Sequence, residues 1–139
     1  KQEIFYAYKG KSYHNDKLIH VSNRKFEDAL FCTGLALYKK HKAKVCSDIL
    51  YDVYSKCCDF RRLGSAALEL CYLAAGYAEL YFEISIFAWD YAAAIYILKC
   101  AGGAHTEVVY SNKPIKLSAA NNKVNLKLLN TIVEKHLKK

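Results

Sequence analysis

Methionine is absent from this 139-residue sequence, proline and tryptophan occur once each, and glycine only six times. With no methionine to start from, the chain is expected to be a processed, cut or excised part of a longer protein. Long apolar runs are missing too. Charge or glycine interrupts each one well short of the roughly 18 residues a membrane-spanning helix needs. No secretory leader is recognisable after Lys1. No cysteine pair has C-x-x-C spacing, which excludes the common zinc and thiol-redox motifs. No internal repeat, low-complexity tract or linker breaks the chain. None of the five histidines sits in a ligand-like cluster.

What is present describes a globular protein. Hydrophobic residues make up 53% and charged residues 24%, which suits one domain over residues 1–139 with a real core. The net charge is +8. Nucleic acid is one partner that such a charge can suit, but the lysines are scattered and no nucleic-acid motif accompanies them. The dense run Lys39-Lys40-His41-Lys42-Ala43-Lys44 reads as a solvated face. Most of the six cysteines lie in apolar surroundings, as in Leu70-Cys71-Tyr72. They read as reduced, buried thiols, and the protein as cytoplasmic.

Strand and helix patterns alternate. Ile4–Tyr8, Ser12–His14 and Leu18–Val21 read as strands, separated by Lys9-Gly10-Lys11 and Asn15-Asp16 turns. Asp28–Thr33 reads as a buried strand ended by Gly34. Leu35–Cys46 is expected to be helical with a basic exposed face, and Ser47–Cys58 is expected to be a helix capped by Ser47. Asp59–Arg62 follows as a strand. Ser65–Ala75 is expected to be a helix stopped by Gly76. Glu79–Glu83 reads as a strand, and Asp90–Ala101 as a helix closed by Gly102-Gly103. His105–Val109 and Ile115–Ser118 complete the strands, and Asn125–Lys135 closes the chain as an amphipathic helix. The class is α/β.

Two helix starts invite chemistry. Gly64-Ser65-Ala66 offers free N–H groups that suit anions or hydroxyls, although Ser65 also serves simply as a cap. Asp90 places a carboxylate at the positive end of a helix, where Mg²⁺ accepts one or two carboxylates beside water and phosphate oxygens. By spacing alone, a plain helix cap is the simpler reading of Asp90. A surface carboxylate is the simpler reading of Glu83.

The segment from Arg61 to Gly103, RRLGSAALELCYLAAGYAELYFEISIFAWDYAAAIYILKCAGG, resembles the C-terminal signature of the inositol monophosphatase family. That signature is a Gly-Ser/Thr-Ala-Ala helix start, a strand ending in Glu, WDxAAG, and a helix closed by Gly-Gly. His14-Asn15-Asp16-Lys17, Cys32-Thr33-Gly34 and Ala119-Ala120-Asn121-Asn122 are similar to further family motifs, in order along nearly the whole chain. The resemblance implies a mixed β-sheet with helices packed on both faces, the C-terminal domain of the inositol monophosphatase-like (sugar phosphatase) fold. It implies a Mg²⁺-dependent phosphoric monoester hydrolase, dimeric when complete, acting on an inositol or sugar phosphate. Asp90 would hold a metal, while Glu83, Gly64, Ser65, Ala66 and Arg61 would contact substrate. Trp89 is expected to be a packing anchor. A bisphosphate nucleotidase or a fructose-1,6-bisphosphatase of the same superfamily is the alternative, as is a non-catalytic interaction domain.

The family's remaining metal ligands come from an Asp-Pro-(Ile/Leu)-Asp-Gly-Thr loop in an N-terminal domain. No such loop occurs here, so the isolated chain is expected to be inactive. Ala94 stands where WDxAAG ends in Gly, and Leu35-Ala36 replaces Phe-Pro after Thr33-Gly34.

Overall fold

A computed structural model of the protein describes residues 2–34 and 39–138. The chain opens with three antiparallel strands, β1 (Phe5–Tyr8), β2 (Lys11–His14) and β3 (Lys17–Ile19), in that spatial order. Both reversals are tight. Lys9, Gly10, Asn15 and Asp16 all have positive φ, the conformation that hairpin turns demand and that Gly, Asn and Asp tolerate best.

A five-stranded mixed sheet follows. It comprises β4 (Leu30–Thr33), β5 (Asp59–Arg61), β6 (Leu80–Ile86), β7 (Ala104–His105) and β8 (Ile115–Ala120), in the order β5-β4-β6-β8-β7. β4 runs parallel to β5 and β6, whereas β8 is antiparallel to β6 and β7. Helices α1 (Ala43–Tyr54) and α4 (Lys123–Leu137) cover one face; α2 (Ala66–Ala74) and α3 (Ala88–Cys100) cover the other.

The period-two alternation of the strands splits the core in two. Phe31, Leu80, Phe82 and Ala120 face α1 and α4. Cys32, Tyr81, Leu117 and Ala119 face α2 and α3. The small sheet lies against the same helical layer through Phe5, Ala7 and Ile19, pinned by the buried Ser12 hydroxyl donating to the Ile97 carbonyl at 2.6 Å. Ala94 is buried in the α2–α3 layer, so that core takes up the methyl group.

Several boundaries differ from the sequence reading. The first long helix starts at Ala43, after a short 3-10 turn over Lys40–Lys42. Ser47 therefore lies inside α1 and does not cap it, and residues 35–38 of the expected basic helix lie outside the described residues. The strand expected over His105–Val109 contracts to Ala104–His105. Beyond it the Thr106 hydroxyl accepts the Ser118 N–H at 3.0 Å, replacing a ladder bond. All six cysteines are free thiols, and burial pushes Cys32 up to about 12 and Cys71 to about 11, so both are inert at neutral pH. No described helix is long and apolar enough to cross a membrane.

Candidate functional site

The parallel strands β4 and β6 end beside the N-termini of α2 and α3, and a cleft of about 700 Å³ opens there. Its first wall is the start of α2. Gly64 adopts φ +84°, a backbone state that L side chains resist. Ser65 is the N-cap, its hydroxyl accepting the Leu68 N–H at 3.2 Å. Glu69, one turn along, is only 2% exposed. It folds back to accept the Leu63 N–H at 2.6 Å. The carboxylate thus ties the turn that precedes the helix to the helix itself.

The second wall is β6 running into α3. Glu83 was expected to end its strand, but β6 continues to Ile86. Pairing with β8 slips between Glu83 and Ile86, and irregularities of this kind re-aim side chains next to sites. The Glu83 carboxylate lies where a side chain on Gly34 would be: a Cβ there would meet both carboxylate oxygens at 2.5–2.6 Å. Gly34 is therefore what admits Glu83 to the cleft. Burial pushes the Glu83 carboxyl up to about 7, reinforced by the charges of Glu69 and Asp90 and opposed by the Tyr81 hydroxyl and Arg62. It therefore holds its proton well above the ordinary glutamate range, and can accept or donate a hydrogen bond according to its protonation state.

Helix α3 begins at Ala88, with Phe87 as its N-cap. Asp90 is consequently the third helical residue and not the capping one. It still stands in the first turn, where the helix dipole favours a negative charge. Lys39, half-buried across the cleft, donates to the Ser85 hydroxyl at 2.8 Å.

Of the residues expected to form a site, the cleft brings together Asp90, Glu83, Gly64, Ser65 and Ala66. Arg61 is not among its lining residues. The Arg61 guanidinium pairs with Asp59 at 2.6 Å and donates to the Phe60 carbonyl, while its neighbour Arg62 lines the cleft instead. Glu69 and Lys39 line the cleft and were not among the residues expected to form a site. Glu69 carries no local signal: a capping-box acid stands three residues after the N-cap, and Glu69 stands four after Ser65. Lys39 was hidden in a basic run. Trp89, expected to be a packing anchor, is exposed and lines the cleft.

The lining mixes cations with an apolar strip of Ile86, Phe87 and Trp89 and an acceptor-rich floor. Such a cleft suits a small anionic molecule that carries hydroxyl groups. Its fit to a divalent cation is partial. Hard cations want several oxygen ligands, and no three His, Cys, Asp or Glu side chains converge to hold one among the described residues. Glu69 is buried and accepts the Leu63 N–H, and Glu83 sits in a desolvated corner. Asp90, exposed on the cleft wall, is the one carboxylate suited to offer an oxygen to an ion in the opening.

Comparison with known proteins agrees with this architecture. The family model for the inositol monophosphatase family matches residues 1–138. A protein named Nus factor SuhB from Pasteurella multocida is 36% identical over 105 residues, covering 74% of this chain and 39% of that relative. The chain therefore spans about two-fifths of the length of the curated relatives it matches. Among solved structures, the extragenic suppressor protein SuhB from Bartonella henselae superposes with a TM-score of 0.82 at 30% identity, covering 94% of this chain and 52% of the other. The inositol monophosphatase from Anabaena (Nostoc) gives 0.79 at 27% identity, covering 96% and 57%.

Proposed function

This chain belongs to the inositol monophosphatase family, and on that premise we propose that it forms the substrate-side half of a Mg²⁺-dependent phosphatase for phosphate monoesters of the myo-inositol 1-phosphate type. The observation that carries the reading is the convergence of Asp90, Glu83 and the Gly64–Ser65 helix start on one cleft. In this account Asp90 contributes one oxygen to the metal, and further protein ligands come from outside this chain. Bound Mg²⁺ would supply charge neutralisation for the phosphoryl oxygens.

The chain's own groups do the rest. Lys39 and Arg62 attract and steer the phosphate dianion into the cleft. The unpaired N–H groups at the start of α2 face hydroxyl or phosphate oxygens. Glu83 accepts a hydrogen bond from a ring hydroxyl. Its raised protonation midpoint makes that interaction strongest above neutral pH, where the carboxylate is ionised. Glu69 holds the Gly64 turn in place before substrate arrives, so that binding does not have to order it. Arg62 takes the role first expected of Arg61.

A second reading has its own support. The curated relatives carry the name Nus factor, so an interaction role without turnover is the alternative. A chimera separates the two: this chain replaces the matching segment of a full-length family phosphatase. We expect Mg²⁺-dependent hydrolysis of myo-inositol 1-phosphate, lowered on the order of 10²-fold or more by Asp90→Asn, with thermal stability unchanged. A folded chimera whose turnover is indifferent to Asp90→Asn contradicts the phosphatase reading. The unjoined chain is expected to show no turnover.

A further inference from the structure

The phosphatase reading leaves one wall of the cleft without a task. Phe87 occupies the N-cap position of α3 and makes no side-chain cap bond, at a place where Ser, Thr, Asp or Asn would accept a free N–H group. A local preference abandoned beside a site points to another use for the position. The Phe87 ring is stacked on Trp89, with centroids 4.6 Å apart and planes 8° from parallel. Both residues line the cleft, and Trp89 is 70% exposed. Stacking covers one face of the indole and holds the ring in place. The other face remains open, a rigid apolar surface that needs little further ordering to bind.

The chemistry around this wall selects its ligand. Glu83 presents a carboxylate to the cleft, and the Ser85 hydroxyl, which accepts from Lys39, can still donate, so a molecule whose groups both donate and accept hydrogen bonds fits between them. It must also offer an apolar side to the indole. A cyclic polyol does both, with hydroxyls around its edge and C–H groups on its face. A nucleobase stacks as well, but it would turn ring-nitrogen acceptors toward carboxylates.

We infer that Phe87 and Trp89 form a specificity-determining aromatic wall that stacks against the C–H face of a cyclic polyol phosphate. The inference rests on the reading of this cleft as a phosphate-ester site. Trp89 binds no reacting atom in this account. It selects the organic half of the substrate, while Phe87 positions Trp89.

Trp89 is the only tryptophan in the chain, so its emission reports on this wall alone. The test titrates the intact chain, with Mg²⁺ present, against myo-inositol 1-phosphate, inorganic phosphate and adenosine monophosphate. Nitrogen-15 NMR follows the Trp89 indole N–H and the Gly64 and Ser65 amides in parallel. Myo-inositol 1-phosphate is expected to produce a saturable change in emission and in the indole signal, and inorganic phosphate none at Trp89. In Phe87→Leu the apparent Kd is expected to rise about two- to tenfold, with an unchanged melting curve. Trp89→Leu, followed at Gly64 and Ser65, is expected to lose at least as much. Shifts at Gly64 and Ser65 with Trp89 silent would overturn the wall and leave the cleft reading intact. A stronger response to adenosine monophosphate would overturn the polyol assignment. Silence at all three probes would overturn the cleft reading, and this inference with it.

Discussion

Two regions of this molecule hold carboxylates withdrawn from solvent, Asp52 buried and Glu83 half-buried, and treat them oppositely. Between α1 and α4, Asp52 is contacted by Lys135 at 2.8 Å, by His136 at 2.9 Å and by Lys56. Burial works to raise its proton affinity, but Lys135, Lys56 and His136 together hold the carboxyl well below the usual carboxylate range. On the other side of the sheet, Glu83 lies near two further acids and a single arginine, and its proton affinity is raised. The two carboxylates are left with opposite capacities for further interaction. Asp52 has every partner it needs and can do nothing more than join two helices. Glu83 is left short of partners, at an electrostatic cost that a purely structural role would not repay, and such groups cluster at functional sites.

The contrast can be broken by mutation. The largest effect on stability is expected from Asp52→Ala, which leaves Lys56, Lys135 and His136 without their shared acceptor. A loss of about 2–3 kcal/mol in denaturant unfolding is expected. The pH dependence carries its own sign. Asp52 is depressed in the fold, so its contribution is present above the ordinary carboxylate range and fades as pH falls through the lowered value.

Glu83 runs the other way. Its protonation midpoint is raised in the fold, so its favourable contribution is complete below the ordinary glutamate value and is lost as pH rises toward about 7. Glu83→Gln should therefore stabilise the chain above pH 7, raising Tm by a few degrees, roughly 3 °C or more, and should flatten the pH profile between about 4.5 and 7. An unchanged profile would mean that Glu83 is not desolvated. A smaller effect is expected from Gly34→Ala. The Glu83 carboxylate can swing aside to admit the methyl, so the fold survives within about 1 kcal/mol while binding of a polyol phosphate weakens, as calorimetry would register. The smallest effect on global stability is expected from Glu69→Gln. Its signature is local: faster hydrogen exchange at the Leu63 amide, which donates to Glu69, with the rest of α2 still protected.

Much of this contrast lies beyond what periodicity reveals. The hairpin turns, the Ser65 cap and the stops at Gly76 and Gly102 were legible because each depends on a backbone state or an orphan N–H that few residues satisfy. The family resemblance around Gly64, Glu83 and Asp90 pointed to residues that line one cleft, where spacing alone favoured a helix cap and a surface carboxylate. What stayed hidden was tertiary. Phe87 caps α3 against its propensity, so the helix start was read two residues late. Glu69 reads as an exposed helix acid until the loop from Leu63 is seen to fold over it. The choice between Arg61 and Arg62 depends on Asp59, whose carboxylate claims the first. The pairing of Asp52 with Lys135 and His136 joins residues more than 80 positions apart, which no local pattern encodes.

The most direct test is a carbon-13 NMR titration of the side-chain carboxyls in the intact chain. The account predicts that Glu83 titrates near pH 7 while Asp52 stays ionised well below the usual carboxylate range. If both titrate at ordinary carboxylate values, the cleft holds no carboxylate in reserve and the contrast on which the functional reading is built is contradicted.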